Sequence, residues 1–321
     1  MMLKYAAQRI LLMLVTLFII TLMCFVLIRM LPVAILDTQG EKYTEIMAKR
    51  EAFGYGKPYL VQFGIFLKSI FTKWDWGISD TLYYGQDVAA IFAEKLPATM
   101  VVNLFSIILS IPIGISLGIW AALKKNKITD HVISTITMLT ISVPSFVYAF
   151  LVQYFLSYNP GNLPFQVEFE GGIFTPRALM SMIPPVLSLS FGVIAGFTRV
   201  TRAELTEVLT SEFMLLARTK GLTRTQATVR HAMKNCMVVI LPAIFGEFIG
   251  IMSGSLIIEK IFTIPGVGGL YLNSISGATN PDYPIFMLVT VFYTFISLFS
   301  GIIVDISYGF IDPRIRMGSR K

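Results

Sequence analysis

The sequence predicts an all-α membrane protein with six transmembrane helices, and three observations carry that expectation. Of the 321 residues, 55% are apolar and only 14% charged, against about 25% charged in a soluble domain. Mean hydropathy is +0.71. Apolar runs of about 20 residues, long enough to cross roughly 30 Å of hydrocarbon, recur six times along the chain.

The first run, 10–28, follows Lys4 and Arg9 as the apolar core of a signal peptide would. It is 19 residues long and has no small-residue cleavage site after it, so it reads as a retained helix. The second run is 98–123, with Gly114 and Gly118; the third is 132–158; the fourth is 178–198, with Gly192 and Gly196. The fifth, 236–258, is interrupted only by Glu247 and carries Gly246, Gly250 and Gly254, and the sixth is 283–304. Helices are therefore expected at about 10–30, 98–123, 131–158, 178–198, 235–259 and 283–307. They form a single domain over 1–321, with an extracytoplasmic segment at 31–96 and a cytoplasmic segment at 201–234. Glycines four residues apart let backbones approach closely in lipid, so those faces are expected to be helix contacts.

An even number of crossings puts both termini on one side. Sixteen of the 26 Lys and Arg fall in the connections on that side, and eight of the other ten lie in the single long segment 29–95. Long segments weigh little in setting orientation, so both termini are expected to be cytoplasmic. The net charge of +7 is spread by membrane side and not gathered in one patch, so no nucleic acid partner is expected. Cys24 and Cys236 fall near opposite sides and read as packing residues without a disulfide. Segment 29–95 balances eight acidic against eight basic residues among clustered aromatics such as Tyr43, Phe53, Tyr55, Tyr59, Phe63, Trp74 and Trp76. It reads either as interfacial helices held by an aromatic belt or as a docking surface for an external partner.

The stretch 210–242 is the most informative. Thr210 or Ser211 can start a short helix through Ala217, Gly221 can end it in a left-handed cap, and Thr223 with Gln226 has capping-box spacing for the next helix. The resulting hairpin is expected to expose Arg218, Lys220, Arg224 and Arg230 beside Phe213, Met214 and Leu215. Such a knob suits a groove on another protein or a surface of anionic headgroups. Glu247 is the one carboxylate deep in a spanning run, where a charge costs roughly 2.5–3.5 kcal/mol. It faces a pore, bonds a neighbouring helix, or stays neutral. Asn103 and Gln153 are packing polars or pore contacts. His131 and His231 have no second ligand at metal spacing, so no metal is expected. Asp305, near Arg314 and Arg316, fits a surface ion pair.

Ala217-Arg-Thr-Lys-Gly221-Leu222, followed by His231-Ala-Met-Lys-Asn235, resembles the cytoplasmic coupling motif of ABC importer permeases, in the variant of the oligopeptide, dipeptide and nickel family. Leu215 and Leu216 stand where the general motif has Glu and Ala. The opening 9–32, LPATMVVNLFS (96–106), EKIFTIPGVGG (259–269), NPDYP (280–284) and DPRIR (312–316) are similar to that family's B-type membrane subunit. One departure is Val33-Ala34 after Pro32, where the family continues with Gly-Asp-Pro.

The resemblance implies a type I ABC importer permease fold with a cytoplasmic coupling helix, in a bacterial or archaeal cell membrane. It implies no catalytic residue and no cofactor in this chain. The expected partners are a second homologous permease, two cytoplasmic ATPase subunits carrying ATP and Mg, an extracytoplasmic peptide-binding lipoprotein, and membrane lipid. The cargo implied is oligopeptide, with dipeptide or a nickel chelate as alternatives. Coupling would run through Glu212, Phe213, Ala217, Arg218, Lys220 and Gly221, the 211–221 helix moving as a lever. Glu247, Asn103 and Gln153 are the pore candidates. The only Gly-Lys pair, Gly56-Lys57, is followed by Pro58, so no phosphate-cradling GxxxxGK[ST] loop is present. A self-contained secondary transporter would need paired broken helices and several intramembrane ionisable groups, where only Glu247 qualifies.

Overall fold

The computed structural model describes residues 2–32, 36, 42–158, 161–276 and 281–311. The chain runs α1 (Met2–Arg29), α2 (Tyr43–Ala52), α3 (Tyr59–Lys73), α4 (Val88–Leu123), α5 (Ile128–Ser142), α6 (Ser145–Gln153) and α7 (Pro176–Leu209). It continues through α8 (Glu212–Thr219), α9 (Arg224–Ala227), α10 (Met233–Gly250), α11 (Leu256–Ile261), α12 (Val267–Ser276) and α13 (Tyr283–Ile311). Backbone contacts group the chain into two compact units. One holds Leu3–Met100 and Met252–Phe299, the other Val101–Ile251 and Ser300–Lys321. The family-like DPRIR stretch, with Arg314 and Arg316, lies outside the described residues, as do Val33 and Ala34.

The first unit is built on aromatic packing. In α3, Phe63, Phe66 and Ile70 recur at helical spacing and are buried. They meet Phe25 and Ile28 of α1, Trp76, and Ile285, Leu288 and Val289 of α13. Phe25 lies 5.3 Å from Phe63 and 5.2 Å from Phe66, and Phe66 sits edge-on to Trp76 at 6.0 Å. Where the partners lie on membrane-spanning helices, such packing gains van der Waals contact and not removal from water. Several aromatics expected to form an interfacial belt therefore make a core; Tyr59 and Trp74 stay exposed. Gln62, buried among them, donates to the Lys57 carbonyl at 2.7 Å.

Two buried carboxylates tie remote segments of this unit together. Asp282, just before α13, accepts from Ser79 Oγ at 2.6 Å and from the amides of Thr81 at 3.0 Å and Leu82 at 3.1 Å. Glu259 of α11 accepts from Thr99 Oγ1 at 2.9 Å and from the amides of Gly268 at 2.8 Å and Gly269 at 3.2 Å. Those amides open α12, where helix N–H groups lack helical partners and favour an anion. A Cβ at Gly254 or Gly266 would overlap the Glu259 carboxylate. Glycine is thus required by close approach, and at Gly254 also by its φ of +60°.

The expected fifth helix at 235–259 does not run through. After α10 the chain tightens into a 3₁₀ turn, Ile251–Ser253, and Gly254 and an extended Ser255 separate it from α11. The expected third span, 131–158, is also two helices, α5 and α6, bent by 98°. Pro144 is the cause: it disfavours helical φ/ψ at Val143, which is extended at φ −92°, ψ 127°. Tyr148 spans the elbow by donating to the Thr140 carbonyl at 2.7 Å.

In the second unit, α4 and α7 pack backbone to backbone. A Cβ at Gly114 would lie 2.8 Å from the Ile194 carbonyl, and one at Gly118 would lie 2.6 Å from Thr201 Cβ. Thr198 Oγ1 donates to the Gly114 carbonyl at 3.2 Å. Gly246 approaches Val304 Cγ2, at 3.4 Å from its would-be Cβ, whereas Gly192, Gly196 and Gly250 have nothing within 4 Å. Pro184 and Pro185 stay inside α7 and withhold two amide donors from its ladder, and Ser188 Oγ donates to the Pro184 carbonyl at 2.8 Å. Buried Asp130, in the first turn of α5, takes Arg202 Nε at 2.5 Å and Nη2 at 2.9 Å, a bidentate clamp onto α7.

Candidate functional site

α7 continues past the expected end of its span, to Leu209, so the hairpin begins on a rigid helix. Ser211 is extended at φ −77°, ψ 156° and precedes α8, with Glu212 in the first turn where a negative charge is favoured. The Ser211 hydroxyl does not cap α8; it donates back to the Val208 carbonyl at 2.5 Å.

α8 ends in a Schellman motif. Leu222 N–H donates to the Ala217 carbonyl at 3.3 Å and Gly221 N–H to the Arg218 carbonyl at 3.0 Å, with Gly221 at φ +88°. The next helix opens with a reciprocal capping box: Thr223 N–H donates to Gln226 Oε1 at 3.1 Å, and Gln226 N–H to Thr223 Oγ1 at 3.3 Å. One turn later α9 widens into a π-helical turn, Thr228–Ala232, before α10. Asn235 Nδ2 donates to the His231 carbonyl at 3.1 Å inside that turn.

The hairpin has two faces. Met214 and Ala217, three residues apart, are buried against Leu205, Ala227, Ala232 and Cys236. Met214, expected among the exposed residues, therefore faces inward, and Ala217 is a packing residue whose small side chain seats α8. Outward lie Phe213 at 37%, Leu215 at 65%, Leu216 at 57% and Val229 at 64% exposure. Arg218, Lys220, Arg230 and His231 are exposed beside them. Exposed apolar side chains interleaved with cations are what a partner surface needs.

A second feature of the same unit is a groove between α7 and α10. Gly192, Gly196 and Arg199 line one wall, Ala243 and Glu247 the other, around a volume of about 270 Å³. Glu247 is half-buried and Arg199 exposed. Glu247 thus faces an open, polar-edged space, which offsets part of the burial cost of its charge. Asn103 and Gln153 are not part of this groove. Gln153 is buried and its Nε2 donates to the Phe165 carbonyl at 3.1 Å, tying α6 to the following loop; Asn103 is half-buried on α4.

Sequence reasoning missed the carboxylates Glu259, Asp282 and Asp130. The signals were present: Glu259 precedes a Pro-Gly-Val-Gly-Gly run that leaves room for its head group, and Asp282 stands at N-cap position before an apolar run. Thr99 lies 160 residues from Glu259, and Thr81 and Leu82 lie about 200 from Asp282, which no local pattern shows.

Residues 114–317 match the family described as binding-protein-dependent transport system inner membrane component. The dipeptide transport system permease protein DppB of Lactococcus lactis is 32% identical over 98% of this chain and 100% of its own length. The oligopeptide transport system permease protein OppB of Escherichia coli is 33% identical over the same shares. Among solved structures, the inward-facing MetNI methionine ABC transporter aligns with a TM-score of 0.53 at 13% identity, over 70% of this chain and 97% of that one. That likeness shows a shared fold. The chain belongs to the binding-protein-dependent transport system inner membrane component family, as a multi-pass permease subunit of an ABC importer whose ATP is hydrolysed by separate subunits.

Proposed function

We propose that this chain forms half of the translocation pathway of a peptide importer and receives the power stroke through the α8–α9 hairpin. The observation that carries the reading is the hairpin itself: a Schellman turn and a capping box hold an apolar and basic face outward while Met214 and Ala217 anchor it. A rigid element of that kind transmits motion; a loosely attached one would absorb it.

In this reading the termini and the hairpin are cytoplasmic. Glu212, Phe213, Arg218 and Lys220 touch an ATPase subunit that binds ATP and Mg, Gly221 shapes the turn, and Ala217 seats the helix. A second homologous permease completes the pathway, and an extracytoplasmic binding lipoprotein delivers the cargo. The groove holding Glu247 faces the pathway, where the carboxylate meets the amino terminus of the peptide. The names of the relatives, dipeptide and oligopeptide permeases, support peptide as the cargo class.

Reconstitution of the chain with its co-purifying subunits into proteoliposomes tests this. Peptides of graded length on the loaded binding protein are expected to stimulate ATP hydrolysis and enter the vesicles. Uptake that proceeds with the chain alone, driven by an ion gradient, would overturn the reading.

A further inference from the structure

We propose that the first unit holds a single small inorganic anion, chloride being the abundant candidate, in a small cavity beside Arg29 and Trp76. The cavity has a volume of about 30 Å³, where a water needs roughly 10–15 Å³, so there is room for one halide-sized ion.

The site is built from fixed groups. Arg29 is the last residue of α1, and its guanidinium carbon stands 3.7 Å from the centre of the Tyr55 ring and 5.1 Å from that of Phe25. Trp76, at 8% exposure, is locked by its edge contact with Phe66. Arg29 Nη1 and Trp76 Nε1 are both buried and neither has a hydrogen-bond partner. An indole N–H and a guanidinium only donate, so what both lack is an acceptor. Burying donors unpaired is costly, and these two line one cavity.

Charge points the same way. Three cations line the cavity, Arg29, Lys49 and Arg50, with one carboxylate, Asp80. Lys49 is paired with Asp75 at 2.6 Å and Arg50 with Asp80 at 2.9 Å. Among the described residues Arg29 has no carboxylate at ion-pair distance, and the three cations there face two carboxylates, Asp75 and Asp80. A monovalent anion meets the donors and suits that excess of positive charge; a water meets the donors alone. The ion would pin the end of α1 to the segment carrying Trp76.

The test uses the full-length purified protein. At constant ionic strength, replacing gluconate by chloride is expected to raise the melting temperature in a saturable way, because only the folded state holds the ion. Bromide-grown crystals are expected to show an anomalous peak between Arg29 and Trp76. Trp76→Phe keeps the ring and removes the donor, and is expected to raise the half-saturating chloride concentration about tenfold; Arg29→Gln is expected to abolish the dependence. Identical melting in chloride and gluconate, or a dependence that survives both substitutions, overturns the proposal. A bromide peak without any effect on melting means an adventitious ion only, and overturns it too, as does a cavity that holds water and no bromide.

Discussion

Glu259→Ala should be among the most damaging single substitutions outside the hairpin. The carboxylate accepts from Thr99 Oγ1 and from the Gly268 and Gly269 amides, at 2.9, 2.8 and 3.2 Å. Alanine takes the acceptor from two backbone donors, Gly268 and Gly269, at about 1–3 kcal/mol for each buried donor, so roughly 2–6 kcal/mol in all. Domains are stable by only about 5–15 kcal/mol, so most of the margin goes. Glu259→Gln can turn its carbonyl to the glycine amides and its NH₂ to Thr99, and should cost only about 1–2 kcal/mol. The assay is thermal unfolding of the purified protein, extended to a double-mutant cycle with Thr99→Val, where a coupling of about 0.5–3 kcal/mol is expected. An alanine variant within about 0.5 kcal/mol of the parent, the range of ordinary surface changes, would refute the reasoning.

Three further outcomes follow from the same geometry. Asp282→Ala strands the Leu82 amide and takes one acceptor from Thr81, so about 1–3 kcal/mol of local stability should go and limited proteolysis should cut the 79–85 loop faster than in the parent. Arg202→Met leaves buried Asp130 with only the Asn126 amide and Ser134; because Arg202 is a third exposed and water can enter, a loss of about 2 kcal/mol in thermal unfolding is expected. Ala217→Leu overfills the seat of α8 by three heavy atoms, and should cost about 1–3 kcal/mol and speed hydrogen exchange in α8 ahead of the rest of the second unit.

How far the sequence could be read depended on the range of the interaction. The capping box at Thr223 and Gln226 and the left-handed Gly221 were legible because each is decided within a few residues. The close face at Gly114 and Gly118 was legible as a spacing, though not its partner, the Ile194 to Thr201 stretch of α7. The elbow at Val143-Pro144 was not read, although Pro carries a local signal, because hydropathy is blind to a bend. Charge and apolarity placed Met214 outside with its neighbours; the 3.6-residue period, tied to Ala217, puts it inside. Glu259 and Asp282 could not be placed without the tertiary contacts that satisfy them.

The central claim is that the α8–α9 turn transmits ATP hydrolysis to transport, and Gly221 tests it most directly. A Cβ there meets nothing within 4 Å, so any effect comes from the backbone at φ +88° and not from a clash within the chain. Valine, β-branched, resists that conformation, while asparagine tolerates it. The measurement is peptide taken up per ATP hydrolysed in proteoliposomes containing the assembled complex. Gly221→Val is expected to assemble and hydrolyse ATP while uptake per ATP falls several-fold, and Gly221→Asn to keep most of the coupling. Full uptake per ATP in the valine variant would contradict the account.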